Sequence, residues 1–429
     1  MSENNLGYSK SLIGGLIALA WAALIYQIAK HMILPPASPW PPEYVGSDFR
    51  IYYNAMIDFV QGKNPYAGRN YLKFPYPMFT VFFCSFLTLF SEANAWFLWE
   101  ILMKFFVCAG FGLVIFCCKP LLVASQEKTR NYLSAESSRF LVIHWMIIAV
   151  LLCAAFRPAF WGLFYGNIQP LAFFLICLFT ALILHGHDKT AGCVLAMACL
   201  VKITPVILVI GFLFTQKKRL LYAWFVFMCC YAILLLLTGW WRWELFFVEK
   251  TLPNQSFQWI FTSHSLTVYL GTIFFHDVLK VKSIFNCTSR IVALSVLFAT
   301  LLSLYLAARR QRGSGLFWRD AFSLTCYPML LISPLLEVHH HTCLIPALVF
   351  LLHDYLEQRC THRYFAASLF FWALFLGASV WHGVGLLNLP FLNNILPPDF
   401  YEMFCLMVLW FFASIRVLRL PVESARGSV

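Results

Sequence analysis

The sequence has few charged residues and no long polar interval. Only 12% of its 429 residues are charged, whereas soluble globular proteins carry roughly a quarter. Apolar runs recur from Ser11 to Leu420, and 61% of the residues are hydrophobic. A soluble protein is therefore excluded, and so is a soluble domain with one membrane anchor. The chain is predicted to be an all-α polytopic membrane protein that forms a single domain over residues 1–429.

The sequence also lacks the motifs of common cofactor sites. It has no Gly-x-Gly-x-x-Gly, no Walker loop and no Asp-x-Asp motif of nucleotide-sugar enzymes, so a nucleotide cofactor is not expected. The 15 cysteines lie mostly within apolar runs and never in Cys-x-x-Cys spacing, which favours packing over metal binding or disulfides. The net charge of +12 comes from short clusters between apolar runs. Such clusters indicate membrane topology, and no nucleic-acid partner is expected.

The basic clusters order the membrane crossings, because Lys and Arg collect on the cytoplasmic side. With every cluster inside, the sequence predicts about twelve transmembrane helices and two cytoplasmic termini. The segment Thr190–Thr215 breaks simple counting, since it is apolar except for Lys202 and both of its ends are basic. A hairpin of two half-helices that turns at Lys202–Pro205 keeps both ends inside, and proline interrupts a helix there. Irregular backbone at membrane depth lines a cavity or is buried in protein, so a cavity is predicted near Lys202.

Asp48 is the first candidate for chemistry. It lies in the first predicted outer loop, residues 35–92, where a carboxylate could take a proton from an acceptor hydroxyl. Alternatively, Asp48 caps a helix that begins at Phe49. The cavity inferred at Lys202 favours the catalytic interpretation. In the same loop, the short proline-flanked segment Tyr76–Phe90 is expected to form a helix at the outer interface, above the site.

Further positions are candidates for phosphate contact. Lys202 is an intramembrane cation, which is costly unless it is paired or hydrated, and a lysine binds phosphate as a point charge; the alternative is a snorkelling lysine. One imidazole of His339–His341 could donate to a phosphate, or these residues could cap the outer end of a span. Three adjacent histidines rarely converge on one ion, so no metal site is predicted. Arg157 is a second phosphate candidate.

An ordered set of short motifs resembles glycosyltransferase family 87, a bacterial GT-C group that includes polyprenol-phosphate-mannose-dependent mannosyltransferases. The motifs are Asp48-Phe49 with Tyr52-Tyr53, Asn64-Pro65-Tyr66, Tyr76-Pro77, Gly166-Asn167-Ile168-Gln169, Lys202-Ile203-Thr204-Pro205, and Ser333-Pro334 with His339-His340. The resemblance implies a lipid-phosphate sugar donor, an outer-face active site and a base in the first loop. It places Asp48 at the catalytic carboxylate, His339 or His340 near the donor phosphate, and Lys202 at the membrane lysine before proline.

Together, the residues and the resemblance predict an inverting glycosyltransferase of the bacterial inner membrane. It would transfer a hexose, with mannose the first choice, from a polyprenyl phosphate to a lipid or polysaccharide acceptor. Asp48 would deprotonate the acceptor, while Lys202, His339, His340 and Arg157 would stabilise the departing phosphate. No cofactor is expected; the expected partners are membrane lipids, the donor, and a glycolipid or glycan acceptor. The alternative is a transporter or flippase of a lipid-linked sugar or anion, but no internal repeat is found and the polar residues crowd one face.

Overall fold

The computed structural model describes residues 45–67, 74–132, 159, 161–251, 282–310, 317–333, 338–356, 361, 363–372 and 398–419, and these ranges contain helices and no strand. The helices are α1 Ser47–Val60, α2 Met78–Cys84, α3 Glu92–Tyr132, α4 Gln169–Leu184, α5 Asp188–Val201, α6 Val206–Leu213, α7 Lys218–Thr238, α8 Trp241–Phe246, α9 Lys282–Arg310, α10 Phe317–Leu331, α11 Ile345–Leu356, α12 at 363–372 and α13 Pro398–Arg419. A 3₁₀ helix, Ser85–Leu89, extends α2, and a second one, Val338–Leu344, precedes α11. The all-α prediction is therefore confirmed over the described residues.

Several helices have the length and composition of membrane spans. Within the described residues, three segments are long and apolar enough to cross a bilayer: Glu92–Val114, Lys218–Thr238 and Arg290–Arg310. On α7, several large apolar side chains are exposed, Leu237 by 82%, as expected for a helix that faces lipid. The protein is thus a multi-pass membrane protein, and the figure of about twelve spans stays a prediction. The apolar run Ser11–Ile33 predicts a first span, which lies outside the described residues.

The predicted half-helix hairpin is confirmed. Lys202 ends α5 in an extended conformation, with φ −149° and ψ 127°, and Pro205 precedes α6. At the open end of the hairpin, opposite this turn, the Lys217 ammonium donates to the Asp188 carboxylate at 2.8 Å. The start of α5 therefore lies beside the start of α7. The two helices also touch at Gly192, where a Cβ would lie 2.3 Å from a backbone oxygen of α7. The chain must therefore turn back at Lys202–Pro205.

The segment predicted as an interfacial helix is helical, as α2 and its 3₁₀ extension. Its inner face packs on the hairpin, since the Thr80 hydroxyl donates to the Val201 carbonyl at 3.1 Å. Its outer face exposes Phe82, Phe83 and Phe86. The segment therefore covers the broken end of α5.

Two helices differ in length from the sequence expectation. α3 runs for 41 residues and continues to Tyr132, beyond the predicted span Ala93–Cys118 and into the basic cluster Lys119–Arg139, which the sequence predicts to be cytoplasmic. At 1.5 Å per residue it is about 60 Å long, roughly twice the hydrocarbon thickness of a bilayer. A helix satisfies its own backbone hydrogen bonds, so it continues into water when its residues turn polar. The sequence also predicts a span at Arg290–Ala308, whereas α9 begins at Lys282, for the same reason.

A buried cluster of four charged residues ties α10, α11 and α13 together. The Arg416 guanidinium bonds the Asp354 carboxylate and lies 3.1 Å from the Asp320 carboxylate. Arg319 lies 3.9 Å from Asp354. The two positive and two negative charges balance, as buried ions require, and this cluster is consistent with a structural role.

Candidate active site

Asp48 lies in the first turn of α1, and its carboxylate is held by an amide from another part of the chain. The Asn167 Nδ2 group donates to Asp48 Oδ2 at 2.6 Å. The helix begins at Ser47, Gly46 occupies the cap position with φ 68°, and no side chain caps the helix. The alternative in which Asp48 caps a helix starting at Phe49 is therefore wrong. A carboxylate in the first turn also interacts favourably with the helix dipole.

The surroundings of Asp48 favour a base that works near neutral pH. Asp48 is partly buried, and this desolvation raises the pKa of its carboxyl group from 3.8 to about 6. The Asn167 hydrogen bond and the positive charge of Lys202 lower that pKa and so limit the rise. A base with a pKa just below the working pH is mostly deprotonated and still accepts a proton readily. The electrostatics therefore suit a general base.

A tight turn before α4 brings the amide to Asp48. Gly166 has φ 70°, and a Cβ on it would lie 2.5 Å from the Trp96 ring and 2.9 Å from Phe49 Cβ. The Trp99 indole donates to the Gly166 carbonyl at 2.9 Å. Only glycine fits this conformation and this space. The turn, Gly166–Gln169, is thereby locked between α1 and α3.

Two amides of the Gly166–Gln169 turn connect Asp48 to Lys202. The backbone N–H of Gln169 donates to Asn167 Oδ1 at 2.9 Å, which directs the Asn167 NH₂ group to Asp48. The Lys202 ammonium donates to Gln169 Oε1 at 2.8 Å. Gln169 Nε2 in turn contacts Cys343 Sγ at 2.8 Å. A base and a cation are thus parts of one hydrogen-bonded group.

Lys202 is buried at the turn of the hairpin. It is only 7% exposed, and its ammonium lies 5.5 Å from the centroid of the Tyr76 ring, within cation–π range. The Tyr52 hydroxyl donates to the Tyr76 hydroxyl at 3.4 Å, and Asn167 Nδ2 lies 3.3 Å from the same oxygen. A snorkelling lysine would extend its ammonium to the protein surface, whereas Lys202 is buried. Lys202 is instead built into the site.

The position of Tyr76 depends on a clamp at the start of α2. The Met78 N–H donates to the Glu244 carboxylate at 2.8 Å, and the Phe79 N–H donates to the Tyr231 hydroxyl at 3.0 Å. These bonds satisfy the first donors of α2 from α7 and α8. They fix the chain immediately after Tyr76 and thereby hold the Tyr76 ring beside the Lys202 ammonium.

Of the remaining predicted site residues, the structure describes the two histidines but not Arg157. His340 lies in the 3₁₀ helix Val338–Leu344 and is buried. Because a 3₁₀ helix has three residues per turn, His340 and Cys343 share one side of it, and Cys343 contacts Gln169. The backbone of His339 belongs to the same helix. Arg157 lies outside the described residues.

Sequence reasoning assigned no site role to several residues that the structure places here. Asn167, Gln169, Tyr52 and Tyr76 occur in the motifs of the resemblance, but none is an obvious acid, base or cation. Polar amides at a glycine turn between apolar runs were the available signal for Asn167 and Gln169. Cys343 gave no signal, because it resembles every other cysteine in an apolar run.

Comparison with known proteins identifies the family. The family model of Glycosyltransferase family 87 matches residues 74–334, which is more than half of the chain and includes Asn167, Gln169 and Lys202. No curated protein matches the chain. Among solved structures, ArnT from Cupriavidus metallidurans in the apo state is similar at 13% identity and a TM-score of 0.36, over 96% of this chain and 77% of that chain; a likeness this weak supports no inference. On the strength of the family match, the chain belongs to glycosyltransferase family 87.

Proposed function

We propose that the protein transfers a hexose, with mannose the first choice, from a polyprenyl phosphate to a lipid or polysaccharide acceptor, with inversion. The observation that carries the proposal is the hydrogen-bonded path from the Asp48 carboxylate through Asn167 and Gln169 to the Lys202 ammonium. Transfer from a sugar phosphate to a hydroxyl needs a base for the nucleophile and a cation for the leaving group. Family membership makes the chain a glycosyltransferase and argues against the transporter alternative.

In the proposed reaction, Asp48 takes the proton of the acceptor hydroxyl while that oxygen attacks the anomeric carbon. The bond from this carbon to the phosphate oxygen breaks on the opposite face, and its electron pair leaves with the polyprenyl phosphate. One displacement inverts the anomeric configuration, so one carboxylate suffices, unlike glycosidases, which pair two. Phosphate leaves as an anion and needs no general acid.

The growing negative charge on the phosphate is met by cations and hydrogen-bond donors. Lys202 supplies the positive charge, and its bond to Gln169 holds the ammonium in place before the donor arrives. His340, with His339 on the same 3₁₀ helix, is proposed to donate to a phosphate oxygen, and Arg157 to add a second positive charge. Groups fixed in advance need no reorganisation when charge develops, which is how such sites accelerate reactions.

The hairpin supports an active site on the outer face of the bacterial inner membrane. Its open end carries the basic segments His185–Lys189 and Lys217–Arg219, which the positive-inside rule assigns to the cytoplasm. Its turn at Lys202–Pro205 lies at the opposite end of α5, under α2 and beside Asp48. We therefore place the reaction outside, with both termini cytoplasmic.

Product formation by purified protein tests the proposal. The protein, in lipid nanodiscs, is incubated with polyprenyl-phosphate mannose or glucose carrying a radiolabelled sugar, together with glycolipid and polysaccharide acceptors. We expect a labelled, inverted product with one of these donors, and at least about 10²-fold slower formation of it by Asp48→Asn. Absence of product from every donor and acceptor pair, with folded protein, would contradict the proposed donor class. Movement of the labelled donor between leaflets without a product would support a flippase instead.

A further inference from the structure

Two side chains that are neither acid nor base join the two charged groups of the site. Asn167 bonds Asp48 at 2.6 Å, Gln169 bonds Lys202 at 2.8 Å, and the two are linked by the 2.9 Å bond from Gln169 N–H to Asn167 Oδ1. Asn167 and Gln169 are 3% and 2% exposed. Burying amides is costly unless their hydrogen bonds are used, so these bonds account for the presence of amides here.

The Asn167 amide has one orientation in this site. Its oxygen accepts the backbone N–H of Gln169, so its NH₂ group must face Asp48 Oδ2. A hydrogen bond to a carboxylate stabilises the charged form. Because Asn167 occupies one lone pair of Oδ2, Oδ1 is the more accessible oxygen of the two for a proton in the described part of the chain.

The Gln169 amide is held at both ends. Its oxygen accepts from the Lys202 ammonium, and its NH₂ group contacts Cys343 Sγ on the 3₁₀ helix that carries His340. Lys202 has four side-chain rotatable bonds and comes from an interrupted helix. The bond to Gln169 therefore restrains the position of the ammonium.

We propose that Asn167 and Gln169 are positioning residues for the transfer reaction. Asn167 keeps Asp48 charged and orients its carboxylate, and Gln169 holds the Lys202 ammonium at the donor phosphate. This inference rests on the proposed function, but the hold of each amide on its charged partner is measurable without turnover.

The pKa of the Asp48 carboxyl group should depend on the side chain at position 167. Among the described residues, Lys202 and Tyr52, which lies on the same helix, interact electrostatically with Asp48, and the Tyr76 hydroxyl lies 3.3 Å from the Asn167 amide that bonds Asp48. Asn167→Asp keeps the shape and the bond from Gln169 N–H, but it places a second carboxylate against Asp48. Two adjacent carboxylates share a proton, which strongly raises one pKa.

The first experiment measures the pH profile of kcat/KM for three Asn167 variants. Asn167→Ala should move the acidic limb to higher pH, Asn167→Asp should move it further, and Asn167→Gln, which keeps the amide, should stay nearest the wild type. A rise of one unit from about 6 lowers activity about fivefold at pH 6 and hardly at pH 8. A purely structural role would lower activity equally at all pH values, and that outcome would overturn the proposal.

Infrared titration of the carboxyl band gives the same answer without turnover. Asp48→Asn identifies the Asp48 band by its loss, and the same order of pKa values is expected among the Asn167 variants. Equal Asp48 midpoints in wild type, Asn167→Ala and Asn167→Asp would refute the role of Asn167. If the midpoints shift but the wild type makes no product, the positioning of Asp48 stands and the proposed function fails.

The second experiment tests Gln169 through the affinity for polyprenyl phosphate, the proposed product. Gln169→Glu keeps the size and the bond to Lys202 but places a carboxylate against the ammonium, which offsets its positive charge, so binding should weaken about tenfold, equivalent to about 1.4 kcal/mol. Gln169→Leu removes the oxygen that accepts the hydrogen bond from the Lys202 ammonium and should weaken binding as well. Thr180→Val, which removes only a hydroxyl bonded within α4, serves as the matched control. Wild-type affinity in both Gln169 variants would overturn this half of the proposal.

Discussion

Replacing Lys202 by methionine tests whether its charge serves the leaving group. Methionine keeps an unbranched stem of similar length and removes the ammonium that bonds Gln169 at 2.8 Å. Loss of one preorganised electrostatic contact to a developing anion lowers turnover by about 10²–10³-fold, or about 2.7–4 kcal/mol. We expect a loss of that size in kcat.

Two other effects of Lys202→Met need to be separated from this one. Gln169 Oε1 loses its donor, at a cost of about 1–3 kcal/mol, but a desolvated cation is also removed, so the melting temperature should change little. The charge of Lys202 lowers the pKa of Asp48, so the variant should also need a higher pH for activity. Assays at about pH 8 avoid this second effect, because Asp48 is then deprotonated in both proteins.

Lys217→Met is the matched control for Lys202→Met. Lys217 also bonds a partner at 2.8 Å, the Asp188 carboxylate, but at the opposite end of the hairpin. It should leave kcat unchanged and at most lower thermal stability slightly, since partly exposed ion pairs contribute about 0–1 kcal/mol. Initial rates with radiolabelled donor give both values. A Lys202→Met enzyme with wild-type kcat and KM at about pH 8 would refute the charge argument.

Three further predictions follow from the site. The rate should rise with pH through a midpoint of about 6, because Asp48 must be deprotonated to act as the base; a midpoint near 4 in a pH–rate profile would contradict its desolvation. His340→Ala should raise the donor KM, and a double variant with His339→Ala should raise it further; unchanged donor kinetics in the double variant would remove both from the phosphate site. Gly166→Ala should abolish the folded protein in a fluorescence-detected size-exclusion assay, because a Cβ there meets an indole carbon at 2.5 Å. Gly186→Ala, at a glycine with a similar positive φ but with open space around it, should remain folded. Equal behaviour of the two variants would refute the packing argument.

The membrane helices and the hairpin could be predicted because hydropathy and charge act over many residues. A long run of apolar residues predicts a membrane helix whatever the details of its packing. The segment Thr190–Thr215 has basic residues at both ends, so a turn at Lys202–Pro205 was the solution that kept both ends on one side. Helix ends were less certain: the sequence did not predict that α3 would continue to Tyr132, because a polar helix and a polar loop are both stable in water.

The polar contacts of the site could be predicted only in part. Asp48 and Lys202 stood out because a charge in or beside an apolar run is costly and needs a reason. Asn167 and Gln169 carry no charge, and their partners lie far away in sequence, so only the three-dimensional structure could pair them. The helix-cap interpretation of Asp48 failed because Gly46, through its positive φ, starts the helix before Asp48.

The most direct test of the account is the turnover of Asp48→Asn beside Asp58→Asn. Both changes remove one carboxylate from α1, but only Asp48 bonds Asn167 in the site. We predict that Asp48→Asn lowers sugar transfer by at least the roughly 10²–10⁴-fold typical of acid–base catalysis. The Asp48→Asn protein should keep its affinity for polyprenyl phosphate, and Asp58→Asn should transfer sugar like the wild type. An Asp48→Asn protein that is expressed normally and transfers sugar at the wild-type rate would contradict the assignment of Asp48 as the base.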